Sequence, residues 1–261
     1  YYKIMIATVF APDGIVVATA SFDSYYEYIE SEEGTLLSPI NMEGLPHTYL
    51  FWERFSLTFN CLNSYMTELG VLDKFENLSN KWDSVPSIAE FMPYLKKLLV
   101  DNHIQIIGIV AAYDIDKNGM IMPFVYQILG ENIRRINLDN NGCLNYNCVY
   151  LEKTPLVGKL LQQTQIKNGD IWEENPAVKL RCDLYSISKS IDICRFMLRT
   201  SHYVTNINST RYDSPLKADI SIITKDKVEV KLMDIYLYAE YVINTEMYQI
   251  MSLLLCKKAH A

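Results

Sequence analysis

The chain opens with two apolar runs that predict a β-hairpin. Ile4 to Phe10 and Ile15 to Thr19 are rich in β-branched residues. Between them, Ala11-Pro12-Asp13-Gly14 supplies a Pro that fixes φ and a Gly that permits a positive φ. Both runs are almost continuously apolar, a pattern typical of strands that are covered on both faces. The hairpin is therefore predicted to lie inside a layered structure.

Similar patterns predict further strands and the loops between them. The predicted strands are Tyr49 to Trp52, Phe55 to Phe59, Ile104 to Tyr113, Ile121 to Leu129, Asp219 to Thr224 and Val228 to Leu232, and Phe22 to Ile29 is compatible with a strand. Gly, Pro, Asn and Asp mark the connections. The predicted loops are Glu30 to Pro46, Arg134 to Val149, Gly169 to Asn175 and Asn206 to Lys217.

Apolar residues at spacings of three and four predict helices in the remaining segments. The predicted helices are Asn63 to Leu78, Ser87 to Val100, Thr154 to Gln165 and Ile187 to Val204. In the second of these, Ser87 and Glu90 have the spacing of a capping box, and Pro93 is predicted to kink the helix. Ser186 or Ser188 is the predicted cap of the last helix. The tail from Asp234 to Ala261 is predicted to form a helical extension.

The order of these elements predicts the fold class. Strands come in hairpins, and helices are inserted between the hairpins in pairs. This order is typical of an α+β protein in which two antiparallel sheets pack face to face, with a helical layer outside each sheet. We therefore predict a four-layer α-β-β-α sandwich over residues 1–233, followed by the helical extension over residues 234–261.

Charge and hydropathy exclude two classes of partner. The 261 residues carry a formal net charge of −7, and basic pairs such as Arg134-Arg135 and Lys257-Lys258 are isolated, whereas nucleic-acid phosphates require clustered Lys and Arg. No nucleic-acid partner is therefore predicted. The sequence has no apolar run of about 18 residues, so no membrane span is predicted.

The cysteines and one acidic turn bear on metal binding and compartment. The six cysteines are dispersed and form no C-x-x-C pair, which favours reduced thiols in a cytoplasmic protein over a disulfide framework or a zinc site. The turn Asp114 to Gly119 has the oxygen spacing of a calcium loop. However, Val125 stands where a bidentate Glu is required, so a plain turn is predicted. The chain begins at Tyr1, and we expect either a cleaved segment before it or a trimmed end.

Three hairpins in this order resemble one family. The opening hairpin, the run Ile107 to Asp114 and the run Ala218 to Glu229 are similar to those of proteasome β-subunit-type N-terminal-nucleophile hydrolases, especially bacterial proteasome-like relatives. The resemblance spans about residues 3 to 232 and implies the four-layer sandwich. In this family the first residue, usually Thr, is the nucleophile, and its α-amine, with a pKa of about 8, can serve as the base. A Lys from the third strand lowers the pKa of the nucleophile, and an Asp at the end of the second strand holds that Lys.

The positions that match these catalytic residues carry other residue types. The Asp is matched by Ala20, the first residue falls between Tyr2 and Ile4, and the Lys falls near Tyr49. Leu216-Lys217 stands in place of the family's glycines before the closing hairpin. We therefore predict that the chain contains no catalytic, cofactor-binding or metal-binding residue.

Other polar side chains are interpreted as structural. Thr8 has the best-placed hydroxyl, but it lies mid-strand without a free amine, where Thr is favoured by its β-propensity. The polar groups near the end of the second strand are Ser21, Asp23 and Ser24. Cys61 could act with His47 across a turn, but it is interpreted as a buried, inert thiol. His103 and His202 are interpreted as surface or capping residues.

The expected function follows from this loss of catalytic groups. We expect a pseudoenzyme, a non-catalytic proteasome-like subunit or interaction module that assembles as a homo-oligomer or with related subunits. The apolar stripe of the tail, formed by Met247, Ile250, Met251 and Leu254, is a candidate contact helix. Two alternatives stay open. One is a peptidase or amidase whose nucleophile precedes Tyr1, and the other is a small-ligand binder whose cleft is lined by Tyr1, Tyr2, Phe22 and Tyr49.

Overall fold

The structure is a computed structural model. It describes residues 5–21, 26–31, 34–39, 47–62, 68–116, 118–152, 165–168, 171–174, 180–206 and 217–234. Several predicted features lie outside these residues. They are the helix from Thr154 up to residue 164, the loop over 207–216, the helical extension over 235–261, and the positions Tyr1 to Ile4, Phe22, Asp23 and Ser24.

The described residues form β-strands, three α-helices and one short 3-10 turn. The strands are β1 (Met5–Ala11), β2 (Gly14–Ser21), β3 (Tyr26–Ser31), β4 (Gly34–Pro39), β5 (His47–Phe51), β6 (Phe55–Cys61), β7 (Ile106–Ile115), β8 (Ile121–Gly130), β9 (Asn132–Arg135), β10 (Asn147–Glu152), β11 (Gln165–Asn168), β12 (Ile171–Glu174), β13 (Lys217–Ile223) and β14 (Val228–Asp234). The helices are α1 (Glu68–Ser79), α2 (Ile88–Asp101) and α3 (Ile187–Asn206), and the 3-10 turn is Cys182–Leu184.

Two antiparallel five-stranded sheets form the body of the molecule. Sheet 1 has the strand order β10-β1-β2-β13-β14, and sheet 2 has the order β5-β6-β7-β8-β9. The hairpins β3–β4 and β11–β12 form two separate two-stranded sheets. The predicted α+β class with two antiparallel sheets is therefore confirmed.

The opening hairpin is covered on both faces, as its apolar pattern predicts. In β1, the alternate residues Met5, Ala7 and Val9 belong to a core shared with α3. Ile6 and Phe10 point the other way, into a core shared with sheet 2. Every residue of β1 is buried.

The central strand β7 has the same two-sided burial. Val110 and Ala112 pack in the core that contains α1 and α2, whereas Ile109 and Ala111 face sheet 1. The apolar core between the sheets, which we call the inter-sheet layer, consists of Ile6, Phe10, Ile15, Val17, Ile109, Ala111, Val125, Leu151 and Ile223. This packing is compatible with the predicted sandwich.

The predicted helices that fall on described residues are confirmed. Helix α2 begins with the predicted capping box: Ser87 Oγ accepts from Glu90 N at 3.3 Å, and Ser87 N donates to Glu90 Oε2 at 3.0 Å. The helix continues through Pro93 to Asp101. Helix α3 is capped by Ser186, whose Oγ accepts from Lys189 N at 3.3 Å.

Three predicted loops are partly wrong, because they contain strands. Glu30 to Pro46 includes the end of β3 and all of β4, and Gly169 to Asn175 includes β12, which pairs with β11. Gln165, predicted to end a helix, begins β11. Arg134 to Val149 overlaps β9 and β10 at its two ends. In β4, Gly34 and Pro39 stand at the first and last positions, where neither interrupts the pairing of the strand, so their presence did not exclude a strand.

Strand β14 lies at one edge of sheet 1 among the described strands, and its residue Glu229 forms two ion pairs with lysines. The Glu229 carboxylate binds Lys227 Nζ and, at 2.8 Å, Lys231 Nζ. Hydrogen bonds from these two lysines lower the pKa of Glu229 to about 2.

One buried carboxylate connects three elements of the sheet 2 side. Asp114 lies near the end of β7 and is 5% exposed. Its Oδ2 accepts from Ile88 N, in the first turn of α2, at 2.5 Å. Its Oδ1 accepts from Ile115 N at 2.8 Å and from Arg54 Nη2 at 3.2 Å. Because Arg54 lies in the turn between β5 and β6, Asp114 ties that turn, the end of β7 and the start of α2 together.

Replacing Asp114 with Ala is expected to lower the free energy of unfolding by about 2–4 kcal/mol, because three donors lose their acceptor at a buried site. Urea denaturation measures this change. Asp83→Ala removes an exposed carboxylate and is expected to change the free energy by less than about 0.5 kcal/mol. Equal effects of the two substitutions would contradict the role assigned to Asp114.

Candidate functional site

Polar side chains lie on the inner face of sheet 1, towards the end where β1 begins. Thr8, Val17 and Ser221 are in register across β1, β2 and β13. The next row towards that end contains Thr19 and Asp219, also in register with each other. In the family that the sequence resembles, the nucleophile is the first residue and begins the first strand, so the resemblance would put a cleft at this end of the sheet.

The opposing face of sheet 2 is polar but uncharged along β5 and β6. Ser56 is in register with Ala111 and Thr58 with Ile109, so Ser56 and Thr58 both face the inter-sheet layer. Thr48 on β5 lies opposite Thr58, and their hydroxyl oxygens are 3.1 Å apart, within hydrogen-bond distance. This hydroxyl pair occupies the inner position of β5.

Tyr49 does not line the space between the sheets, so that part of the predicted cleft is wrong. Its ring centroid lies 4.7 Å from that of Phe51 and 5.8 Å from that of Phe75 in α1. Burial in this aromatic cluster raises the pKa of the Tyr49 phenol, although a hydrogen bond with Ser79 opposes the shift. Side chains alternate along a strand, so a register difference of one residue moves a side chain to the opposite face. The inner residue at this place is Thr48.

Ala20, which matches the family's Asp, lies within β2 opposite Ala218. Ala218 packs in the core shared with α3. One residue further along β2, the backbone of Ser21 is in register with that of Lys217. Ser21 and Lys217, like Thr19 and Asp219, lie about 200 positions apart in the chain, so no local sequence pattern predicts that they pair.

Three buried hydroxyls in this region have no hydrogen-bond partner among the described residues. They belong to Thr8 and Ser56, each 0% exposed, and to Ser221, which is 1% exposed. A hydroxyl needs an adjacent base to become a strong nucleophile, and none contacts these three within the described part of the chain. Thr8 thus lies mid-strand in β1, and no activating group contacts its hydroxyl among the described residues.

The other candidates from the sequence occupy structural positions. Cys61 ends β6 and packs at the margin of the core around α1 and α2. His47 pairs with Phe59, two positions before Cys61 on the same strand. His103 follows α2 with φ at 51°, and His202 lies within α3.

In the calcium-like turn, the Asp116 carboxylate is hydrogen-bonded to the backbone of the turn. Asp116 Oδ1 accepts from Asn118 N at 2.9 Å and from Met120 N at 2.8 Å. Its oxygens therefore hold the backbone of the turn itself. Within the described part of the chain, no three His, Cys, Asp or Glu residues are grouped so that they could hold a metal ion.

Three buried thiols gather beside α3, although they are far apart in the sequence. Cys148, Cys182 and Cys194 belong to one core cluster. The Cys194 thiol lies 3.7 Å from Ala7 O and 3.8 Å from Val16 O, to which it donates. Burial raises the pKa of Cys194, and a hydrogen bond with Cys148, together with burial, raises the pKa of Cys182. High thiol pKa values disfavour the thiolate, so Cys182 and Cys194 are poor nucleophiles.

Comparison with known proteins gives no family assignment. No protein-family model matches the chain, and no curated protein matches it. Among the described residues, none of the helices is long and apolar enough to cross a membrane. The geometry between the sheets is therefore the basis for the function proposed below.

Replacing Thr8 with Val is expected to raise the free energy of unfolding by about 0.5–1.5 kcal/mol, because the substitution removes a buried hydroxyl without a partner and keeps the side-chain shape. Thr58→Val is the matched control. It removes one member of the Thr48–Thr58 pair and is expected to lower the free energy by about 1 kcal/mol. Urea denaturation of both variants measures these changes. Destabilisation by Thr8→Val would show that this hydroxyl is hydrogen-bonded in solution.

Tyr113 is expected to make stability decrease at alkaline pH. Burial beside the inter-sheet layer raises its pKa to about 12, with smaller contributions from Tyr146 and Asp13. The folded protein therefore holds the phenol proton more tightly than the unfolded chain, whose Tyr pKa is about 10. The stabilisation is complete below pH 10 and is lost as the pH rises towards 12.

Urea denaturation between pH 9 and pH 11.5 measures this loss. Tyr113→Phe should flatten the alkaline decrease, and Tyr94→Phe, at a position that is 52% exposed, should leave it unchanged. If the wild-type protein and Tyr113→Phe lost stability in parallel, the contribution of Tyr113 would be excluded.

Proposed function

We propose that the chain is a non-catalytic, cytoplasmic subunit with the four-layer α-β-β-α sandwich of proteasome-like N-terminal-nucleophile hydrolases, and that it acts through assembly. The observation that carries this proposal is the Thr48–Thr58 hydroxyl pair. It occupies the inner face of β5 and β6, where the family's Lys would have to project. A neutral hydroxyl pair cannot supply the positive charge that lowers the pKa of a nucleophile.

The packing of the sheets supports the layered fold. Helix α3 packs on the outer face of sheet 1, and α1 and α2 pack on the outer face of sheet 2. The inter-sheet layer contains side chains from both sheets and closes the space between them. This apolar packing does not depend on the catalytic groups. Loss of the Asp and the Lys together removes two charges that would be costly to bury singly.

The outer surface of α2 supports a role in protein contacts. Tyr94 is 52% exposed and Val100 is 40% exposed. Trp82 packs edge-on against Tyr94, with ring centroids 5.0 Å apart. Exposed Trp and Tyr side chains are enriched at protein interfaces, where they supply large contact areas. A second copy of the chain, or a related subunit, is the partner that this surface would bind.

Size-exclusion chromatography with light scattering tests the assembly. We expect an oligomer at micromolar concentration, and we expect Tyr94→Ser to shift it towards the monomer. Lys97→Ser changes another exposed residue of the same helix and should leave the oligomer intact. A monomer at all concentrations up to about 100 μM would reject self-assembly, and equal behaviour of the two variants would reject this surface.

A hydrolase is the second candidate, because the backbone pairs Ser21 with Lys217 and Thr19 with Asp219 at the same end of sheet 1. Labelling with a fluorophosphonate and turnover of a panel of fluorogenic peptides test it. We expect neither labelling nor turnover. Ser84→Ala, at an exposed site, is the control. If the protein is labelled, and Ser21→Ala abolishes the labelling while Ser84→Ala preserves it, the hydrolase is established and the non-catalytic proposal is rejected.

A further inference from the structure

Two of the buried cysteines are in contact across the outer side of sheet 1. Cys148 lies in β10, an edge strand of that sheet among the described strands, and Cys182 begins the 3-10 turn that precedes α3. The two residues belong to one core cluster, where β10 contacts the 3-10 turn, and the two side chains interact. Both side chains are buried, Cys148 at 2% and Cys182 at 0% exposure. Contact between two thiols is the arrangement from which a disulfide can form with small side-chain movements.

We propose that Cys148 and Cys182 form a disulfide when the protein meets a soluble disulfide such as oxidised glutathione, and that this bond fastens β10 to the 3-10 turn. The inference rests on the contact between these two thiols and is independent of the assembly proposal.

The surroundings select this pair over the other described cysteines. Cys194, in the same core, directs its thiol to the carbonyl oxygens of Ala7 and Val16. Cys143 is exposed in the connection before β10, and Cys61 lies in the core on the far side of sheet 2. Among the described cysteines, Cys148 and Cys182 are therefore the two that share one core cluster without a thiol directed at backbone carbonyl oxygens.

Glutathione disulfide is the oxidant, and it is reduced as the two protein thiols are oxidised to the disulfide. One protein thiolate attacks a sulfur of the oxidised glutathione, forms a mixed disulfide and releases one glutathione thiolate. The second protein thiolate then attacks the protein sulfur of the mixed disulfide and releases the second glutathione. The protein loses two electrons and two protons, and one glutathione disulfide becomes two glutathione thiols.

The reaction is expected to be slow at neutral pH. The hydrogen bond with Cys148 and burial both raise the pKa of Cys182, so its thiolate is scarce in the closed structure. Attack therefore requires transient opening of the β10 edge, and edge strands open more readily than strands inside a sheet. Higher pH and mild urea should both accelerate the reaction.

The disulfide would close the loop formed by residues 149–181. Closing a loop of this length reduces the entropy of the unfolded chain, and we expect the Tm to rise by about 5–10 °C. Reduction with dithiothreitol should return the Tm to its original value. The bond would thus stabilise one edge of sheet 1 under oxidising conditions.

Incubation of the full chain with oxidised and reduced glutathione, followed by acid quenching and peptide mapping without reduction, tests the proposal. We expect a mass loss of about 2 Da and a peptide that links Cys148 to Cys182. Cys148→Ser and Cys182→Ser should each abolish the linked peptide and the rise in Tm. Cys143→Ser should preserve both.

Mapping of the wild-type protein decides the outcome even if one serine variant fails to fold. A linked peptide that joins Cys182 to Cys194 would overturn the proposal. So would a stable glutathione adduct at Cys148, or complete retention of free thiols after equilibration with oxidised glutathione in mild urea.

Discussion

The buried carboxylate of Asp114 is the interaction on which the sheet 2 side of the structure depends. It satisfies a backbone N–H at the start of α2, where the helix has no internal acceptor. It also accepts from Arg54, directly after Trp52 and Glu53, whose φ angles of 51° and 55° are uncommon for residues other than Gly. One side chain thus helps to fix the start of α2 and stabilises the β5–β6 turn, whose backbone conformation is unfavourable at Trp52 and Glu53. The position of α2, including its exposed aromatic surface, follows from this bond.

The parts of the fold that the sequence predicts well are those with long, consistent patterns. The opening hairpin and the hairpin around Asp114 have apolar runs that end at Pro, Asn or Gly, and helix α2 has a complete capping box. Of the strands that the sequence did not predict, β9, β11 and β12 have four residues each, and β4 and β10 have six. So short a segment contains too few alternations to reveal its period. Pairing with a neighbouring strand, which the local sequence does not encode, makes these segments strands.

The candidate site was predictable in its residue types but not in its geometry. The absence of Lys and Asp at the matching positions could be seen directly from Ala20 and Tyr49. The direction of Tyr49 could not, because His47 to Phe51 contains no alternation of apolar and polar residues that marks an inner face. The Thr48–Thr58 pair and the pairing of Thr19 with Asp219 require the register between strands. Register is a tertiary property here, set by the cores on both sides of each sheet.

The ion pairs of Glu229 also limit how molecules of this protein can join. An edge strand with free backbone groups is a template onto which a strand of another molecule can add, and such addition leads to aggregation. On β14, an edge strand of sheet 1 among the described strands, Glu229 and Lys231 form an ion pair that an added strand would have to desolvate. Edge-to-edge pairing of sheets from two molecules is therefore disfavoured at this strand. An assembly would instead form through helical surfaces, and the number of strands in each sheet would not change.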